Sequence, residues 1–304
     1  MKIKDSFHIY AIITIVCWSL AYVFTRMALK HFSAYSLGFL RYFVASFVLI
    51  VVVVATKMKP PKTSDIKWLV ISGAAGFFLY MITFNKGCET VTASTSSVII
   101  ATVPIITALL ASFVYKERLT HFQWLAIVIS FFGVIILILL NGMFTINKGI
   151  IWLFFAAILL SFYNLLQRKL TRIYSALQTS AFSIFAGTIM LTIFSPIAFE
   201  EVKKAPAIQL FYVVVMGVFS SAIAYLSWSQ AFVKAKYTSS VSNYMFITPI
   251  LTTLLGLLIA KEKPDLSTIV GGIIILIGLL IFNFGGNFHV RLHHTKILDL
   301  EQNE

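Results

Sequence analysis

The apolar residues of this 304-residue chain fall into ten long runs separated by short polar segments. The runs are 7–29, 34–56, 66–85, 91–115, 122–141, 149–167, 174–199, 209–233, 237–260 and 266–284. A helix crosses about 30 Å of hydrocarbon in roughly 20 residues, so each run is long enough to span a bilayer. An open sheet in lipid would leave its edge amides and carbonyls unpaired, so the runs predict helices. Charges collect between the runs. The longest connection, 57–65, contains Pro60-Pro61, and the segment after Gly285-Gly286 is polar and expected to be disordered.

One stretch occurs twice. Ser94 and Ser97 lead through Pro104 to Lys116-Glu117, and Ser239 and Ser242 lead through Pro249 to Lys261-Glu262, 145 residues later without a gap. Thr107/Thr252, Leu110/Leu255, Gly133/Gly278 and Tyr80/Tyr225 match at the same offset. Ser19/Ser161, Arg26/Arg168, Ser33/Ser175 and Ala34/Ala176 match at an offset of 142. Matched apolar residues mean little in such a chain, but a proline and a Lys-Glu pair in fixed register mark an internal repeat. Five runs precede Gly149 and five follow it, and an odd number per copy turns the copies over relative to each other. The expected fold is therefore an all-α integral membrane protein with ten transmembrane helices as two inverted five-helix repeats. The divisions are 1–148, 149–286 and a cytoplasmic tail, 287–304.

Composition agrees. Hydrophobic residues make up 59% and charged residues 12%, with mean hydropathy +0.93, whereas soluble domains are about half apolar and a quarter charged. The net charge of +13 does not imply nucleic acid, because no soluble basic domain carries it. Lys and Arg number 15 in one alternate set of connections and 8 in the other. That asymmetry predicts a multi-pass cell-membrane protein with both termini cytoplasmic. Cys17 and Cys88 lack metal-type spacing and read as small buried hydrophobes. No cofactor or metal is expected. The partners expected are a small-molecule solute and the lipid bilayer, with monomer and homodimer both open.

The Pro-centred fourth run ending in Lys116-Glu117-Arg118-Leu119, its copy ending in Lys261-Glu262-Lys263-Pro264, and Phe39-Leu40-Arg41-Tyr42-Phe43 carry a resemblance. Over residues 9–284 the chain resembles the drug/metabolite transporter superfamily, of the ten-helix EamA type. The resemblance implies a central cavity built from spans 1–4 and 6–9, with spans 5 and 10 peripheral. It also implies transport of small organic solutes, commonly efflux of amino acids or related metabolites.

A solute leaving water needs polar or aromatic groups at mid-membrane. Ser94, Ser97, Ala101 and Pro104 share one helical face, and Ser239, Ser242, Phe246 and Pro249 repeat it. Each proline frees the carbonyl four residues earlier, giving either a cavity-lining kink or a small-residue packing face. Trp18, Tyr22, Tyr80, Asn164, Tyr225, Trp228, Asn243 and Tyr244 are further cavity candidates, with interfacial anchoring as the alternative for aromatics near span ends. Arg41 lies inside span 2. It either snorkels outward, faces the cavity as a counter-charge, or ties helices together. Glu117 and Glu262 read as solvated or gate-type charges at helix ends.

All eleven acidic residues and all six histidines lie at span ends or outside the spans. Obligatory proton coupling and intramembrane catalysis are therefore not supported. The expectation is a secondary transporter, working as an exporter of amino acids or related neutral or zwitterionic solutes by alternating access. The alternatives are a facilitator or exporter of cationic drugs or amines, and a channel or receptor.

Overall fold

The structure is a computed structural model that describes residues 7–116, 118–140, 147–234, 241 and 243–301, with side chains described except at 139, 140, 229, 232, 243 and 285–301. Glu117, Ser239 and Ser242 lie outside the described residues. Among the described residues, nine helices are long and apolar enough to span a membrane, and a shorter apolar helix makes a tenth. They are α1 (Phe7–Ala28), α2 (Ala34–Ala55), α3 (Thr63–Cys88), α4 (Ala93–Val114), α5 (His121–Leu140), α6 (Lys148–Leu170), α7 (Ala176–Lys204), α8 (Ala207–Val215 continuing through Met216–Ile223 and Ala224–Lys234), α9 (Tyr244–Ala260) and α10 (Leu266–Glu301). The chain is an all-helical, multi-pass membrane protein of two five-helix repeats. One expectation is corrected. α10 does not stop at residue 284 but runs through Gly285-Gly286 to Glu301; glycine lowers helix propensity by about 1 kcal/mol without breaking the ladder.

The matched serines at the front of each repeat are helix caps. Ser33 Oγ accepts the Ser36 N–H (3.2 Å) at the start of α2, and Ser175 Oγ accepts the Gln178 N–H (3.1 Å) at the start of α7. Each satisfies one amide that helix geometry would leave unpaired, worth about 1 kcal/mol. The matched prolines also act alike. α4 turns at Ala101–Thr102 between its segments Ala93–Ile100 and Val103–Val114, while α9 opens with a 3₁₀ turn, Asn243–Phe246, before Ile247–Leu255. A missing amide and a ring clash with the preceding turn account for both breaks. α3 and α8 each carry a π-helical stretch, Ala74–Leu79 and Met216–Ile223, at overlapping repeat positions.

Packing follows the inverted repeat. α1 packs on α8 and α9, and its equivalent α6 packs on α3 and α4. Ser19 Oγ donates to the Thr248 carbonyl (3.5 Å), and Ser161 Oγ donates to the Val103 carbonyl (3.2 Å). Both donors and both acceptors are repeat equivalents. α5 and α10 pack chiefly on each other, away from the centre. A Cβ built on Gly271 would lie 2.8 Å from the Gly133 carbonyl oxygen, and one on Gly133 would lie 2.9 Å from the Gly271 carbonyl oxygen. The small residues of spans 5 and 10 therefore serve close packing within the chain.

At the lysine-rich end, the segment before α3 is tied to the segment before α7. The Tyr174 hydroxyl donates to Asp65 Oδ2 (2.7 Å) and accepts the Lys62 N–H (2.9 Å). The bond to the carboxylate holds the phenol above its ordinary value of 10.0.

Candidate functional site

Arg41 does not snorkel. It is 7% exposed, and its Nε donates to Ser221 Oγ (2.9 Å) on the π-helical stretch of α8. Among the described residues no carboxylate pairs with it, and its guanidinium carbon lies 5.8 Å from the centre of the Tyr42 ring. Arg41 of α2 thus meets the π-helical stretch of α8 through a single hydroxyl. Placing an arginine in the membrane interior costs about 2.5–3.5 kcal/mol on insertion scales. One neutral hydrogen bond returns about 1 kcal/mol, and a cation–π contact about 0.5–2 kcal/mol. A carboxylate would complete the site, because a guanidinium presents paired donors that match its two oxygens.

The aromatic candidates of spans 1, 3 and 8 pack in two groups, one of which includes Tyr42 beside this charge. Trp18 packs on Trp228 (ring centroids 5.2 Å) and Tyr225 (5.9 Å), and Tyr225 packs on Phe77 (5.9 Å). Phe77 meets Tyr42 (5.2 Å) and Tyr163 (5.1 Å), while Phe84 meets Tyr22 and Tyr80, both at 5.5 Å. Tyr244 stands elsewhere, at the start of α1, with its hydroxyl 2.5 Å from His8 Nδ1 and its ring edge-on to Phe7. Trp228 and Tyr244 both pack against the small cluster of Ala11, Ala231 and Val241. The side chain of Asn243 lies outside the described residues, and Gln230 is exposed.

The remaining candidates lie on α4 and on the two helices that pack against it, α6 and α9. Ser97 is buried and donates to the Ser94 carbonyl (2.8 Å), and Asn164 Nδ2 donates to Thr107 Oγ1 (3.3 Å). Pro249 is buried and Pro104 half-buried. The hydroxyls of Ser94, Thr248 and Thr252 are buried and have no partner among the described residues, leaving three polar groups for water or a solute. Among the described residues no cluster of His, Cys, Asp and Glu could hold a metal ion.

The family model for the EamA-like transporter family matches this chain twice, over residues 6–139 and 147–284. The chain belongs to that family. The boundary between the two matches falls between α5 and α6, where the structure divides its repeats. A relative named "Uncharacterized transporter YdfC" from Bacillus subtilis (strain 168) is 30% identical, covering 86% of this chain and 86% of its own. The "Probable terminal-alkyne amino-acid exporter" of Streptantibioticus cattleyicolor is 25% identical over 90% of this chain and 91% of its own. The "S-adenosylmethionine uptake transporter" of Rickettsia prowazekii (strain Madrid E) is 25% identical over 86% and 89%. A solved crystal structure superposes with a TM-score of 0.59 at 16% identity, covering 91% of this chain and 96% of that one, which speaks to the fold. This EamA-type chain is thus a membrane transporter of small molecules.

Sequence reasoning missed Tyr42, Phe77, Phe84 and Ser221. A signal for two of them was present. Phe77, Tyr80, Met81 and Phe84 follow the i, i+3, i+4, i+7 pattern of one helical face, which reads equally as ordinary core. Nothing in the Ser220-Ser221 pair announces that it meets Arg41, 180 positions earlier.

Proposed function

We propose that this EamA-type transporter is a secondary exporter of small zwitterionic or neutral metabolites bearing a carboxylate, amino acids above all. Transport proceeds by alternating access between the two inverted repeats. One observation carries the substrate class: Arg41 is buried beside aromatic rings, held by a hydroxyl and, among the described residues, balanced by no acid. The solute's carboxylate takes the free edge of the guanidinium, and its apolar part lies against Trp18, Tyr22 and Tyr225. The printed name of the Streptantibioticus relative, an amino-acid exporter, supports the same class. Both termini stand on the cytoplasmic side, an orientation that rests on the lysine-rich end.

The test is solute counterflow in proteoliposomes with a panel of amino acids, amines and nucleosides. A bidentate charge-assisted bond contributes about 1.5–3 kcal/mol, so Arg41→Ala should lower amino-acid counterflow roughly tenfold or more. Arg41→Lys keeps the charge but loses the planar fork, and should fall between the two. Counterflow of amines alone, unchanged by Arg41→Ala, would favour the second reading, in which Trp18, Tyr225 and Trp228 hold a cationic solute by their ring faces.

A further inference from the structure

Glu262, the acid of the second Lys-Glu pair, ties three other helices to the end of α9. Its Oε1 accepts Arg26 Nε of α1 (2.9 Å), and its Oε2 accepts the Ala93 N–H in the first turn of α4 (2.9 Å). Arg26 Nη1 in turn donates to the carbonyls of Cys88 (2.6 Å) and Glu89 (3.0 Å) at the end of α3. Each charge faces the helix end of opposite polarity, the carboxylate an N-terminus and the guanidinium a C-terminus. The side chains are 24% and 17% exposed, so the pair is screened far less than a solvated surface pair. A shaped turn aims it. Lys261 is left-handed at φ 55°, a conformation that costs a non-glycine residue about 1–2 kcal/mol. Lys116, its repeat equivalent, adopts the same conformation at φ 57°.

Of the helices joined here, α3 packs on α2 and α1 packs on the π-helical stretch of α8, the two segments that supply Arg41 and Ser221. Arg26 lies one turn beyond Tyr22 on α1, and Cys88 one turn beyond Phe84 on α3, the two candidate-site rings that pack at 5.5 Å. The contact therefore stands between the candidate solute site and this end of the bundle. We propose that Arg26 and Glu262 form the lock that closes this end of the solute path. Solute passes there only after Glu262 leaves both Arg26 and the Ala93 amide. A bonded network of this kind gives a two-state element, because partial separation strands buried charges and helix ends without partners. The proposal does not depend on which solute is carried. The repeat sets Arg168 and Glu117 at equivalent positions of the other end; Glu117 lies outside the described residues, and the lock is argued from the Arg26 end alone.

The chain carries its own reporter. The Cys88 thiol is fully buried and bonded to Ser96 Oγ (3.4 Å) just beneath the lock. In a Cys17→Ala background, purified protein in proteoliposomes is treated with a membrane-impermeant maleimide and Cys88 labelling is timed. Glu262→Gln keeps the shape of the side chain but removes its charge, and should speed labelling on the order of tenfold by shifting the population toward the open state. Arg26→Lys, which retains the charge and fewer bonds, should give a smaller increase. Cys17, about nine residues or two and a half turns deeper in α1, where its carbonyl accepts Ser220 of α8, is timed in a Cys88→Ala background as the control. Fast labelling of Cys88 with slow labelling of Cys17 supports the lock. Unchanged Cys88 labelling in Glu262→Gln, even with a lowered melting temperature, would overturn it by showing a static brace. Equal acceleration at both cysteines would overturn it too, by showing general loosening.

Discussion

Ser46 Oγ of α2 and Thr188 Oγ1 of α7 lie 2.8 Å apart, and they occupy the same position in the two repeats. They stand 142 residues apart, the offset that also aligns Ser19 with Ser161. A contact between equivalent positions can occur only where the axis relating the repeats passes. α2 and α7 therefore meet at the pseudo-two-fold axis, with Arg41 little more than one helical turn from it along α2.

The Ser46–Thr188 bond should contribute little by itself, since intramembrane hydrogen bonds average about 0.6 kcal/mol. Thr188 also donates to the Ile184 carbonyl at 2.8 Å, which keeps it satisfied when Ser46 is lost. Ser46→Ala should shift the melting temperature slightly. Ser46→Leu, which forces α2 and α7 apart, should cost about 1–3 kcal/mol. Thermal unfolding in detergent measures both.

Gly271→Val should destabilise the α5–α10 pair, because its Cβ would stand 2.8 Å from the Gly133 carbonyl oxygen and 2.8 Å from Leu137 Cβ. The expected loss is about 1–3 kcal/mol, read as a lower melting temperature. α5 and α10 stand apart from Arg41, so counterflow by the folded fraction should persist. Loss of counterflow without loss of stability would place α10 in the transport path instead.

Ser221→Ala removes the hydrogen bond from Arg41 Nε and leaves the charge in place. Apparent affinity for a carboxylate solute should weaken several-fold, as expected for a bond of about 1 kcal/mol. Arg41→Ala should weaken it far more. The order of the two variants, measured by solute-dependent thermal shift, checks that Ser221 acts through Arg41.

Lys59 and Lys169 stand at one end of the bundle, and Lys148 and Lys203 at the other. With both termini cytoplasmic, single cysteines at positions 148 and 203 should react with an impermeant reagent applied to intact cells. Cysteines at 59 and 169 should react only after permeabilisation. The reverse pattern would turn the transporter over.

The ten spans, their division into five and five, and the prolines of α4 and α9 are determined by the sequence alone. These features depend on local properties: the length of an apolar run, the missing amide of a proline, and the register of a repeat. The capping serines, Ser33 and Ser175, were visible as matched residues before their role was known. Three-dimensional packing decided the rest. Arg41 could have snorkelled, and only the position of Ser221 on a distant π-helical stretch turns its side chain inward. Tyr244 reads as mid-span, yet the start of α1 draws it toward His8 and Phe7. Glu262 reads as either a solvated or a gate-type charge, and α1 and α4 decide its partners, Arg26 and the Ala93 amide, while α3 holds Arg26 through the Cys88 carbonyl. In each case the partner lies 180 or more positions away or on a third helix. Helical periodicity reports which face a residue occupies, whereas the partner it meets depends on how separate helices assemble.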